Sequence, residues 1–179
     1  MTSRTFNRAF AWQMTSSQAA TAAAVLAGAA ARGGPVDSVV AVARGGTRPA
    51  RDIAAALGIP VRIIRARHNP TDAVYAQATG RVRCDAAETG PVHGRVLVVD
   101  DICGTGATLS AVTSALARIA EPGAALVTAT LCRNAGSPGR PDLTVWDDLR
   151  EWVIFPWEAG PPDGLPVRSL PDPGQALTA

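Results

Sequence analysis

The chain contains no lysine: all seventeen of its basic residues are arginine. That absence rules out a Walker-type phosphate loop, which needs its lysine. Cysteine and histidine are scarce too. Cys84, Cys103 and Cys132 stand far apart with no Cys-x-x-Cys pair, and His68 and His93 do not complete a metal set with them. A reduced, cytoplasmic setting is therefore expected. Charge of one sign is missing as well. The formal net charge is +2, so no broad nucleic-acid or membrane surface is implied. No run is apolar enough to span a bilayer. Arg4 and Arg8 before the Ala-rich run 19–31 have the look of a secretory leader, but that run holds only Val25 and Leu26 as large apolar groups, and alanine strongly favours helix. An ordinary first helix over residues 16–32, stopped by Gly33-Gly34-Pro35, is the expectation.

What is present fits one domain with a real core: 179 residues, 47% of them hydrophobic. Residues 36–43 (VDSVVAVA) read as a buried strand, short and β-branched. Residues 44–48 form a loop. Pro49 suits the first turn of a helix that runs to Leu57 and is capped by Gly58. Residues 61–65 (VRIIR) are a second strand. The polar stretch 66–94 has turn signals at Asn69-Pro70 and Thr79-Gly80, and weak strands near Val74 and Val82 that would form a hairpin. Residues 96–99 (VLVV) are the clearest strand, followed by a loop over 100–106, a helix over 107–120, a strand over 124–131 and a loop over 133–141. The tail from Gly160 holds five prolines and should be largely irregular. Alternating strands and helices imply an α/β fold with a mostly parallel sheet.

Open α/β sheets bind ligands at the carboxyl ends of their strands. Asp100 and Asp101 stand at that end of the strongest strand. Two adjacent carboxylates repel, and either hydroxyl donors or a Mg²⁺ ion would offset them. Gly104, Thr105, Gly106, Ala107 and Thr108 then open a helix, with small residues whose backbone N–H groups and hydroxyls can wrap a phosphate. Acids for a diol or metal, followed by a phosphate cradle, describe a ribose 5-phosphate site. A dinucleotide fingerprint fits worse, because Leu109 stands where its third glycine belongs.

VLVVDDICGTGATL resembles the signature of the type I phosphoribosyltransferases, nearest to the bacterial and archaeal purine enzymes. The likeness covers about residues 10–160. It implies an α/β fold with a mostly parallel central sheet, a flexible loop, and a hood made of N-terminal and 133–160 segments, ahead of a Pro-rich tail over 161–179. It implies Mg²⁺-dependent transfer of the phosphoribosyl group from 5-phosphoribosyl-1-pyrophosphate (PRPP) to a 6-oxopurine or similar base, in a homodimer or higher homo-oligomer. Asp100, Asp101 and Arg44 would be catalytic, and residues 104–108 would hold the 5-phosphate. AlaArgGlyGly at 43–46 resembles the pyrophosphate loop, assigning Arg44, Gly45 and Arg48 to pyrophosphate and a cis peptide to Arg44–Gly45. WVIFPWE at 152–158 resembles the base-recognition segment, so Trp152 and Val153 would pack on the base and Glu158 would join Asp100 and Asp101 at the metal. Arg133 would donate to an exocyclic oxygen where the family has lysine. Tyr75, Arg81 and Arg83 are loop candidates for pyrophosphate. One position departs from the family. Gly104 replaces the acid thought to deprotonate the purine, a loss of general-base help worth ~10²–10⁴-fold. A PRPP-binding regulator of the same fold without catalysis is the alternative.

Overall fold

Residues 38–43 and 95–103 form two adjacent parallel strands whose alternation divides the core. In the computed structural model these are β2 (Ser38–Ala43) and β5 (Arg95–Cys103), paired from Ser38↔Val96 to Ala41↔Val99. The structure describes residues 7–67, 82–158 and 164–176. Val39, Ala41, Leu97 and Val99 face one way, toward α1 (Ser16–Arg32) and α2 (Thr47–Leu57). Val40, Val42, Val96 and Val98 face the other way, toward α3 (Ala107–Ala117). A strand buried on both faces reads as a continuous apolar run, which is why both were legible in the sequence.

The main sheet has the order β4-β3-β2-β5-β6-β7, completed by β3 (Val61–Arg67), β4 (Arg83–Asp85), β6 (Ala125–Asn134) and β7 (Leu143–Leu149). All neighbours are parallel except β4, which runs antiparallel to β3. The chain steps outward from β2 to β3, then returns to place β5 on the other side of β2. The crevice between the carboxyl ends of β2 and β5 is thus a topological switch point.

Helix α1 matches the expected 16–32. It buries Ala19, Ala22, Ala23, Leu26, Ala27 and Ala30, a single stripe at helical spacing. Its small side chains let the helix lie close to the sheet, and Leu26 alone contributes ~1.5–3 kcal/mol by burial. Thr15 and Gln18 close a reciprocal capping box at its start. Arg95 donates to the carbonyls of Ala30 (2.7 Å) and Gly34 (2.9 Å) at its end.

Several boundaries differ from the expectations. The Asp pair belongs to β5 itself, because pairing with β6 continues past it to Ile102↔Cys132 and Cys103↔Arg133. For the same reason Arg133 lies within β6, which ends at Asn134, and does not begin a loop. Helix α2 starts at Thr47, earlier than Pro49, and α3 stops at Ala117. The strand near Val82 is β4 and pairs with β3; Val74, Tyr75 and Arg81 lie outside the described residues. The hood is a second sheet of three parallel strands, β8-β1-β9, made of β8 (Trp152–Ile154), β1 (Ala11–Gln13) and β9 (Val167–Ser169). Residues 143–149 belong to the main sheet and not to the hood. The proline-rich tail is less irregular than expected: it supplies β9, buries Leu170, and adds the short α4 (Pro173–Ala176). The Trp146 indole donates to the Pro171 carbonyl at 3.1 Å.

Candidate active site

Two helices begin at the switch point, and neither is capped by a side chain. Helix α2 starts after Gly46 and α3 after Gly106, each without a side-chain cap bond and without an acidic residue in its first turn. Helix α1, away from the crevice, has a full capping box. In α2 the Thr47 N–H already donates to the Arg44 carbonyl at 3.1 Å and Pro49 has no N–H, and in α3 the Ala107 N–H donates to Thr105 Oγ1 at 3.4 Å, so what the two helix starts chiefly offer an external anion is the positive ends of their dipoles. Asp100 and Asp101 sit between these two helix starts.

The loop before α3 forms an open concavity of about 220 Å³ lined by Asp100, Ile102, residues 103–106, Thr108 and Leu109. Gly106 has φ +82°, a left-handed conformation that glycine adopts without strain. Its Cα lies against Gly139, and a Cβ on either glycine would overlap the other's backbone. All five residues expected to hold a 5-phosphate are therefore on one loop and helix start, as the motif implied.

The loop before α2 closes on the acid pair. Its cis peptide lies at Ala43–Arg44, one residue earlier than expected. A Cβ on Gly45 would overlap the Asp101 carboxylate, and one on Gly46 would run into the backbone of Val99, Asp100 and Val42. Glycine is needed at both places because this loop packs directly on the end of β5. Arg44 is exposed beside them. Arg48 is not directed at this site: its Nε donates to Asp52 Oδ2 at 3.1 Å, one turn further along α2, and its side chain is 67% exposed.

Asp100 is 8% exposed and accepts from the Asp101 N–H at 3.0 Å. Burial pushes the Asp101 carboxyl above its ordinary range, partly offset by the Ile102 backbone N–H and by the nearby Trp157 indole. Trp157 Nε1 is buried with no partner at full hydrogen-bond geometry, yet it is near enough to favour the Asp101 carboxylate. Glu158 accepts from the Phe155 N–H at 3.1 Å. Its pKa is also raised, first by desolvation and then by the charge of Asp101. Asp101 and Glu158 therefore lie in each other's field. Among the described residues no group of three His, Cys, Asp or Glu side chains forms a metal cage, so Asp100, Asp101 and Glu158 are not one cluster. Two mutually repelling carboxylates fit Mg²⁺, which commonly takes one or two carboxylates and completes its shell with water and phosphate oxygens.

On the base side, Trp152 is half-buried, whereas Val153 is 4% exposed and packs in the main core. Only Trp152 keeps a surface to offer. The hood is tied down by Trp12, whose indole donates to Glu151 at 3.1 Å, and Phe155 stacks on Trp157 at 5.3 Å. Arg133 is 7% exposed and occupied: its Nε pairs with Asp147 Oδ1, Nη2 donates to Asp147 Oδ2 at 2.9 Å, and Nη1 donates to the Ser137 carbonyl at 3.3 Å. Arg83, on β4, is exposed.

Sequence reasoning gave no role to Trp157 or Asp147. Trp157 lay inside the WVIFPWE motif and was visible there. Asp147 had no local mark. It becomes Arg133's neighbour through the pairing of β6 with β7, in which Thr130 meets Thr144 and Cys132 meets Trp146.

The crevice of this mostly parallel sheet thus sets an acid pair between two helix starts. The chain belongs to the phosphoribosyl transferase domain family, whose model matches residues 16–163. Among solved structures, the purine phosphoribosyltransferase from Pyrococcus horikoshii Ot3 is similar at 27% identity and a TM-score of 0.70, over 84% of this chain and 96% of that one. The Helicobacter pylori xanthine-guanine-hypoxanthine phosphoribosyltransferase has 20% identity and a TM-score of 0.66, over 82% and 91% of the two chains. A hypoxanthine-guanine phosphoribosyltransferase from Bacillus anthracis shares the fold at 20% identity and a TM-score of 0.61, over 84% and 86%. No curated protein matches the chain. Among the described residues no helix is long and apolar enough to cross a membrane.

Proposed function

We propose that this protein transfers the 5-phosphoribosyl group from PRPP to a nitrogenous base, a 6-oxopurine or purine-like base, yielding a nucleoside 5-monophosphate and pyrophosphate. The observation that carries this reading is the pair of uncapped helix starts facing one crevice, with Asp100 and Asp101 between them. The α3 start, with residues 104–108, binds the 5-phosphate through backbone N–H groups and the Thr105 and Thr108 hydroxyls. Asp100 and Asp101 accept from the ribose diol. The α2 start, with Arg44 and Gly45, takes the pyrophosphate, where a planar guanidinium suits phosphate oxygens. Trp152 offers a face for the base. Purine as the acceptor class rests on the WVIFPWE segment and on the Pyrococcus relative's name.

In this reading the residues bind and orient, so that the base nitrogen lies in line with the ribose C1 as the pyrophosphate oxygen leaves. The C1–O bond breaks with its electron pair going to pyrophosphate, the N–C1 bond forms, and the base proton passes to the departing pyrophosphate. Developing charge on pyrophosphate is met by Arg44 and the positive end of the α2 dipole. Mg²⁺, held near Asp101 and Glu158, would supply further charge neutralisation of the pyrophosphate. Gly104 offers no carboxylate to take the base proton. A homodimer or higher homo-oligomer and a cytoplasmic setting belong to the same proposal.

The test is to incubate protein, Mg²⁺ and PRPP with a panel of bases and measure pyrophosphate release. Release with a 6-oxopurine is expected. PRPP binding with no release for any base would replace the enzyme by a non-catalytic PRPP-binding regulator.

A further inference from the structure

We propose that Arg133 is a positioning residue for the 5-phosphate loop and does not read the acceptor base. The inference rests on the phosphoribosyl-transfer reading above and reassigns one of its residues. Arg133 lies at the carboxyl end of β6, opposite Cys103 of β5. Its guanidinium uses all three nitrogens within the protein. Two make a bidentate pair with Asp147, and the third donates to the Ser137 carbonyl. Such a fork fixes a plane as well as a charge. With 9% of its side chain exposed, it has little surface left to meet a ligand.

The contacts lead from Arg133 to the phosphate loop. The Ser137 hydroxyl donates to the Gly139 carbonyl at 3.1 Å and lies 3.6 Å from the Cys103 sulfur. Cys103 Sγ is 3.7 Å from the Gly139 carbonyl. Gly139 in turn packs its Cα on Gly106, the residue that precedes the first turn of α3. Asp147, Arg133, Ser137, Gly139 and Gly106 thus form one contiguous brace from the outer strand β7 to the phosphate cradle. The brace has a clear physical purpose. Gly106 stands in a left-handed conformation and α3 lacks a side-chain cap, so the loop has few internal bonds to set its shape. A rigid wall behind it keeps its N–H groups aimed at one point, which lowers the ordering cost of binding a phosphate.

Lysine cannot replace this arginine. It offers a point charge to Asp147 and cannot hold Ser137 and both carboxylate oxygens in one plane. Arg133→Lys should therefore weaken Mg²⁺-PRPP affinity measured calorimetrically without any base, on the order of tenfold or more, as small displacements of positioning groups do. Asp147→Asn should do the same. The ratio of KM values for hypoxanthine and adenine should stay as in the parent protein. Unchanged PRPP affinity together with a changed base ratio would show Arg133 reading the base and overturn the inference. If Arg133→Lys fails to fold, Ser137→Ala decides, since it removes the hydroxyl that holds Gly139 and leaves Arg133 in place: weaker PRPP binding supports the brace, and unaltered binding overturns it. A parent protein that binds no PRPP sinks the functional reading and this inference with it. A parent that binds PRPP, with variants that bind it equally well, sinks this inference alone.

Discussion

The Cα of Gly45 rests against the carboxylate of Asp101, so the loop after β2 and the acid pair of β5 share one contact surface. The two glycines of that loop differ in what an added methyl would meet. At Gly45 it meets the mobile end of the Asp101 side chain; at Gly46 it meets the backbone of three residues. Gly45→Ala should therefore fold and melt close to the parent while turnover falls, because Asp101 must swing aside. Gly46→Ala should lower the melting temperature, by an amount matching the ~1–3 kcal/mol typical of overpacking. Thermal melts and pyrophosphate-release rates on both variants check this. A fully active Gly45→Ala would show that Asp101's position is irrelevant to turnover.

Asp101 should cost the protein stability. Its carboxyl is raised above the ordinary range, mainly by burial. A raised acid favours the folded state fully below the unfolded pKa, and that benefit is lost as pH rises through the folded value. At neutral pH, above the unfolded pKa, the group is then a burden, and Asp101→Asn should raise the melting temperature there. The gain should shrink toward acid pH. In the double variant Asp100→Asn with Asp101→Asn, turnover should drop by orders of magnitude. A melting gain that is the same at acid and neutral pH would contradict the assignment.

Arg44 and Arg48, four residues apart, should separate cleanly. Arg48 pairs with Asp52 on the exposed side of α2. Arg48→Ala should cost ~0.3–0.5 kcal/mol, the usual worth of such a helix pair, and leave the KM for PRPP unchanged. Arg44→Ala should raise that KM. Equal rises for both would return Arg48 to the pyrophosphate site.

Asn134 follows Arg133 and is 3% exposed, and neither its amide nitrogen nor its oxygen has a partner among the described residues. Removing an unsatisfied buried polar pair is favourable where the shape is kept, with ~1–3 kcal/mol at stake. Asn134→Leu should raise the melting temperature. A fall would mean that the amide is satisfied by something besides protein, such as an ordered water.

The acid pair and the Gly-Thr loop of the candidate site were legible in the sequence because their signals are local. VLVV marks a strand, two aspartates mark its end, and Thr-Gly residues mark a helix start; each is read within a few neighbours. Glycines at 45 and 46 suggested close backbone approach, and the structure supplies the surface they approach. The base half was less legible for the opposite reason. Whether Arg133 faces a ligand or a carboxylate depends on how β6 pairs with β7, and whether Val153 faces a base or the core depends on how the hood sits. Neither is decided by neighbours in the chain. The apolar run ending at Val99 also concealed the true length of β5. Its last residues are held by pairing to β6, which polar side chains do not prevent.

The hood has a consequence for biosynthesis. Its central strand, β1, is made before both of its neighbours, which come from residues 152–154 and 167–169. Every element of the phosphate half lies between them, so that half is fully translated before β1 can be flanked on both sides. A nascent chain can therefore shape the crevice between β2 and β5 while the three-stranded sheet beside it is still unbuilt.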